Sequence, residues 1–224
     1  MIPHWLKSYL NDDGLKKIEN AVKAAEHSTA GEIVPMVVRR SAMVSHCSVL
    51  LGSILLVFWC TFCLTLLELE FIELGHVFLI TAGVVVIVIL SQLFQLFPLF
   101  STVQRTILLL FSKSEMINAV HINAVHGFYE SGLTATRDAT GVLIFISLLE
   151  RRAVVLADRA IAAKLPPETW QQAVQLLVDG ARRKDLAGGF VDAINHCSAI
   201  LKQHFPIKPD DHNELADILI IKDF

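Results

Sequence analysis

The chain has 224 residues, of which 54% are hydrophobic and only 18% charged, with a mean hydropathy of +0.55. Ordinary soluble domains carry about 25% charged residues, so a disordered or fibrous chain is excluded and a purely soluble one is disfavoured. The net charge of −3 excludes a nucleic-acid binder that works by overall charge, and four cysteines, three of them at 47, 60 and 63 in apolar sequence, do not resemble a disulfide framework.

The first arm of the chain predicts a helix over about Asp13–His27. Leu15, Ile18, Val22 and Ala25 recur at helical spacing, and Asn11 to Asp13 supply N-cap candidates. After the break at Ser28-Thr29-Ala30-Gly31, the β-rich run Glu32–Arg39 predicts a strand. Pro35 cannot donate to a ladder, so an edge or a bulge is expected there.

No Lys or Arg lies between Arg40 and Arg105, and the gap holds only three acids, Glu68, Glu70 and Glu73. On either side of them run two uncharged stretches, Cys47–Leu67 and Val77–Phe97, each long enough to span a bilayer core, which needs ~20 apolar residues as helix. The first stretch gains roughly −4 to −7 kcal/mol on the membrane-insertion scale. The expectation is a transmembrane hairpin over 47–111. Its acidic loop and basic flanks (Lys16, Lys17, Arg39, Arg40, Arg105, Lys113) put both termini in the cytoplasm by the positive-inside rule. The first 46 residues are charged and lack an apolar h-region, so no signal peptide is expected. Pro98 closes the second stretch, and Leu108–Phe111 is expected to continue along the membrane surface.

The second arm opens on Ser112-Lys113-Ser114-Glu115, which reads as a capping box. A helix to about Glu130 follows, with Met116, Val120, Ala124 and Phe128 on one face and Gly132 as its stop. Val142–Leu149 is almost wholly apolar, the pattern of a strand buried on both faces. The polar turn Glu150-Arg151-Arg152 and the run Ala153–Ala157 complete a predicted β-hairpin. Pro166-Pro167 sits at a helix start, the last long helix covers about Leu186–His204, and the tail is expected to be a short, partly ordered segment. Neither arm has enough strands to stand alone. The simplest organisation is one α/β domain formed by 1–46 and 112–224, with the hairpin inserted after its first strand.

The order helix, Thr29-Ala30-Gly31-Glu32-Ile33-Val34-Pro35, then Gly141-Val142-Leu143-Ile144-Phe145-Ile146-Ser147 with Arg151-Arg152, then Asp158-Arg159-Ala160-Ile161 before Pro166-Pro167 and two helices, resembles the TPM domain. This is the phosphatase-like domain of a thylakoid lumen protein linked to photosystem II repair. The resemblance covers most of both arms and not the hairpin. It implies an α/β/α sandwich, a small sheet with helices on both faces. It also implies either an acid phosphatase activity, as in a plant member, or an assembly or auxiliary role, and in some members a divalent cation (Ca²⁺ or Mg²⁺) held by acidic residues. Typical members carry a signal peptide and a C-terminal anchor. With an internal anchor, this chain is closer to a bacterial inner-membrane branch.

Three carboxylates are the cation-binding candidates. Glu32 stands at the mouth of the first strand, as a ligand, a general base or a turn cap. Asp138 and Asp158 lie at strand ends, where open α/β sheets keep ligands and where Asp also serves turns. A hard cation needs several such oxygens converging. Arg39, Arg40, Arg151 and Arg152 are candidates for phosphate, for which the guanidinium fork is suited, or for lipid headgroups. Arg182-Arg183-Lys184 reads as a solvated helix end, Cys60-x-x-Cys63 as helix packing, and His121, His126 and His196 as surface or interface residues. No GxSxG, HExxH, P-loop or dinucleotide fingerprint is present. These features rank a membrane-anchored, non-catalytic auxiliary, assembly or maintenance factor first, partnered by the bilayer and other membrane proteins. A membrane-tethered, cation-dependent phosphatase ranks second, and a scaffold that packs through its spans third.

Overall fold

The computed structural model describes residues 2–41, 52–53, 56–59, 61–62, 83–86, 113–207 and 212–223. The chain divides into two compact units, Met1–Ala42 with Lys113–Phe224, and Met43–Ser112.

The first unit is an α/β domain with a four-stranded sheet. Its elements in chain order are α1 (Asp12–Glu26), β1 (Glu32–Val38), α2 (Lys113–Glu130), β2 (Gly141–Ser147), β3 (Arg152–Ala157), a one-turn α3 (Arg159–Ala162), α4 (Gln171–Arg182), α5 (Leu186–His204) and β4 (Ile220–Lys222), with short 3₁₀ turns at Leu133–Ala135 and Pro167–Trp170. The strand order is β3-β2-β1-β4. β1 pairs in parallel with β2 (Glu32 opposite Gly141) and with β4 (Met36 opposite Ile220), while β2 and β3 form an antiparallel hairpin. The two stretches of sequence therefore share one sheet, and its two central strands come one from each.

Alternation along the strands builds the two faces. Ile33 and Val37 of β1, with Val142, Ile144 and Ile146 of β2, face α1, α4 and α5, where Ile18, Val22, Leu177, Phe190 and Ile194 complete one core. Val34, Met36 and Val38, with Leu143 and Phe145, face Val120, Ala124 and Phe128 of α2 in the other. All seven residues of both central strands are buried. Each large aliphatic side chain so buried contributes roughly 1.5–3 kcal/mol before its ordering entropy is charged.

Local chemistry sets the ends. The Asn11 side chain caps α1 by accepting from the Gly14 N–H at 2.8 Å. Gly132, at φ +79°, turns the chain out of α2 in the left-handed region that favours glycine. Pro35 is neither on an edge strand nor in a bulge, since β1 is central. The Arg39 N–H donates to Lys222 O, so odd residues of β1 turn toward β4. β4 covers only Met36–Val38, and the missing N–H of Pro35 falls before that cover begins. The tail likewise carries a strand that the sequence reading left out.

The expected transmembrane hairpin is corrected. Among the described residues no helix is long and apolar enough to cross a membrane. In the unit Met43–Ser112 the described residues are 52–53, 56–59, 61–62 and 83–86, all helical. An apolar run establishes only that its side chains avoid water; a span also needs one continuous helix. With the hairpin go the membrane anchor, the assignment to a bacterial inner membrane and the cytoplasmic placement of both termini. The rest of both apolar stretches, Cys47, Cys60, Cys63, the loop acids, Pro98, Leu108–Phe111 and Ser112 of the capping box lie outside the described residues. Within this unit Gly83 lets Trp59 approach closely, since a Cβ there would stand 2.3 Å from the indole ring.

Candidate functional site

The two classes of candidate residue lie at opposite ends of the sheet. Glu32 opens β1 opposite Gly141, and Asp158 follows β3, its N–H donating to Gly141 O at 2.8 Å. Glu32 and Asp158 thus flank β2 from its two sides, two strand spacings or about 10 Å apart along the backbone. Asp138 precedes β2 at the same end, with its carboxylate 3.7 Å from Arg137. Arg39 and Arg40 follow β1 at the far end, next to the hairpin turn that carries Arg151 and Arg152: the Leu148 N–H donates to Val38 O and the Leu149 N–H to Arg39 O. Arg39 also lies 3.7 Å from Asp223. Seven-residue strands separate the acids from the arginines by about 20 Å.

Each acid has local work. Glu32 is buried, and its Oε1 accepts the Glu214 N–H at 3.1 Å. Asp158, also buried, caps α3 through Oδ1, which accepts the Arg159 N–H at 2.6 Å. Among the described residues no group of three His, Cys, Asp or Glu could hold a metal ion. Three separated carboxylates do not offer the convergent oxygens that Ca²⁺ or Mg²⁺ requires.

The structure gathers a different acidic cluster at the Glu32 end. Glu26, at the close of α1, accepts the Ile33 N–H at 3.0 Å through Oε1 and the Asn213 side chain at 3.3 Å through Oε2. Asn213 also donates to Asp217 at 2.6 Å, and Glu214 accepts the Arg137 N–H. Glu26, Glu32, Asn213 and Asp217, with His27 and His212, line a cavity of about 390 Å³. Burial, then the hydrogen bond with Asp217, then the charges of Glu32 and Asp217 push the Glu26 carboxyl up to about 9, against the pull of the Ile33 N–H. Such a carboxyl is neutral at pH 7 and suited to holding a proton. Sequence reasoning missed it because Glu26 reads as an ordinary polar residue at a helix end, and its partner Asn213 comes from a tail 187 residues away.

No family model matches the chain, and no curated protein matches it. Among solved structures it is similar to the NMR structure of the BA42 protein from the psychrophilic bacterium Bizionia argentinensis, at 17% identity and a TM-score of 0.57, over 96% of this chain and 96% of that one. At that identity the likeness speaks for the fold alone.

Proposed function

We propose that this chain is a non-catalytic auxiliary factor, of the assembly or maintenance kind, acting through a TPM-like α/β domain. One observation carries the reading: the candidate carboxylates Glu32, Asp138 and Asp158 stand about 20 Å from the paired arginines Arg39, Arg40, Arg151 and Arg152, at opposite ends of the sheet, and the acid end holds only the single arginines Arg137 and Arg159. Phosphoryl transfer works by positioning and charge stabilisation, so a metal or an arginine cluster must converge on the transferred group. Glu32 and Asp158 instead serve backbone amides, one tying the C-terminal segment to β1 and the other capping α3.

The test is turnover of a phosphate monoester such as p-nitrophenyl phosphate by the purified full chain, with Mg²⁺, Ca²⁺ or Mn²⁺. The expected result is no rate above the metal-only blank, and a Glu32→Gln variant that melts at a lower temperature with the same blank rate. Turnover of about 1 s⁻¹ or more, abolished by Glu32→Gln or Asp158→Asn in a folded protein, would overturn the reading in favour of a phosphatase.

A further inference from the structure

Among the described residues, three other than glycine hold left-handed backbone: Ala139, Arg151 and Lys184. Arg151 takes it in the β2–β3 turn, where its N–H donates to Leu148 O at 3.3 Å. Lys184 takes it just past α4, where the Gly180 and Ala181 carbonyls accept from the Asp185 and Lys184 N–H groups. Both are positions that glycine fills without penalty, and both carry a base instead. The two turns meet. Arg151 and Lys184, with Arg182 of the last turn of α4, line one hollow of about 130 Å³ together with Leu148 and Val178. The helix dipole accounts for a base in the last turn of α4. It does not account for a base at a glycine position, or for Arg151 in the hairpin.

The positive charge gathered there is not met locally. Asp179 takes one nitrogen of Arg182 at 3.1 Å. Glu150 accepts the Ser41 N–H and the Ser147 hydroxyl, and Asp185 caps α5 by accepting the Gly188 N–H at 3.0 Å. Arg151 and Lys184 have no ion-pair partner among the described residues. A second hollow, of about 360 Å³, shares Arg151, Val178 and Arg182 with the first and extends between Ile117 of α2, Val154 of β3 and Val174 of α4. It falls in the size range of small-molecule sites. An apolar chamber thus adjoins a basic one, with two arginines common to both.

We propose that the two hollows form one binding site for a free phosphomonoester with a short apolar stem, its phosphate held by Arg151, Arg182 and Lys184 and its stem lying between α2 and α4. The small hollow has about the volume of four waters, room for one tetrahedral phosphoryl group. Three bases with one committed carboxylate call for more than a single negative charge, and a phosphomonoester carries about −1.5 to −2 at pH 7. The guanidinium fork matches its oxygens in pairs. A stem housed by the protein's own side chains needs no bilayer to receive it, which selects a free ligand over a membrane surface. Holding the phosphate requires no turnover, since Glu32, Asp138 and Asp158 stand at the other end of the sheet.

Isothermal titration of the full chain with hexyl phosphate tests this, against inorganic phosphate, hexanoate and hexanol. The expected result is one saturable site for hexyl phosphate, with each of the other three at least tenfold weaker. Arg151→Gly and Lys184→Gly, which relieve left-handed backbone, should each weaken hexyl phosphate at least fivefold without lowering the melting temperature. Ile117→Gln with Val174→Gln should weaken hexyl phosphate and leave inorganic phosphate unchanged. No saturable heat with hexyl phosphate up to about 1 mM overturns the proposal, and so does binding that ignores both glycine variants. Equal affinity for inorganic phosphate would deny the stem its chamber, and equal affinity for hexanoate or hexanol would deny the bases their dianion; either result overturns it. Phosphatidylcholine vesicles containing phosphatidic acid that bind the chain when hexyl phosphate does not would overturn it in favour of a lipid surface.

Discussion

Glu26 and Ile33 are joined across the turn between α1 and β1, the carboxylate oxygen of one accepting the backbone N–H of the other at 3.0 Å. Ile33 is an odd residue of β1, so this N–H faces the side where β4 has not yet begun. The Glu26 side chain takes the place of the missing strand. It does so as a buried acid beside Glu32 and Asp217, so the bond that orders the strand entry also makes the fold sensitive to pH.

The sign follows from the direction of that shift. Because the Glu26 carboxyl rises from 4.5 to about 9 in the fold, the folded chain holds a proton that the unfolded chain has lost throughout that window. Its stabilising contribution is complete below pH 4.5 and is lost progressively as pH rises toward 9, at a slope of up to ~1.4 kcal/mol per pH unit. Glu26→Gln keeps the oxygen for Ile33 and cannot ionise. Urea melts should show the variant more stable than the parent at pH 8 and the gap closing toward pH 4.5; parallel pH profiles would contradict the assignment.

Helices α4 and α5 meet at glycine on glycine. A Cβ on Gly180 would lie 2.4 Å from the Gly189 Cα and 2.8 Å from Asp185 O, whereas a Cβ on Gly189 would come no closer than 3.0 Å to Gly180. The obstacles are backbone and cannot rotate away. Gly180→Ala gains less than about 1 kcal/mol of helix propensity against ~1–3 kcal/mol of overpacking. Denaturant melts should therefore rank the parent above Gly189→Ala and Gly189→Ala above Gly180→Ala. Stabilisation by Gly180→Ala would mean that the helices can part at little cost.

Much of the domain was legible where a period met a cap. The spacing of Ile18, Val22 and Ala25 and the Asn11 cap placed α1 within one residue of its observed Asp12–Glu26, and the Leu186–His204 helix stands as read. The run from Val142 announced a strand buried on both faces. β4 escaped because three residues, Ile220–Lys222, are too few to show a period, and their pairing with β1 is long-range. Pro35 misled for the same reason: a local rule about edges could not foresee a neighbour that covers only half the strand. The apolar stretches between the arms gave a hydropathy signal that the described helices do not follow. Among the candidates, strand-end acids and arginine pairs were correctly placed at strand ends. Which end each would occupy depended on the parallel pairing of β1 with β2, and no spacing in the sequence encodes that.

Cys197 lies on the inner face of α5, fully buried, and burial pushes its thiol up to about 12. A thiol that is protonated and enclosed is a poor nucleophile. Treating the folded chain with N-ethylmaleimide at pH 8 and mapping the peptides should leave Cys197 unmodified until denaturant is added. Labelling before unfolding would show that α5 opens locally.

The first unit should fold without the residues between its two stretches. Ser41 is held where the chain leaves β1: its N–H is accepted by Glu150 at 3.1 Å, and its carbonyl accepts the Asn123 side chain at 2.9 Å. Asn123 stands ten residues into α2, so the start of that helix is about 15 Å away along the axis. A Gly/Ser linker of about eight residues can bridge that distance. Residues 1–41 joined in this way to 113–224 should unfold in one cooperative transition. Residues 113–224 alone should not, because β2 would lose its parallel neighbour and β4 the strand with which it pairs. Circular dichroism melts of the two proteins decide the matter: if the 113–224 fragment melts as cooperatively and at the same temperature as the joined chain, β1 is an accessory to the domain rather than its centre.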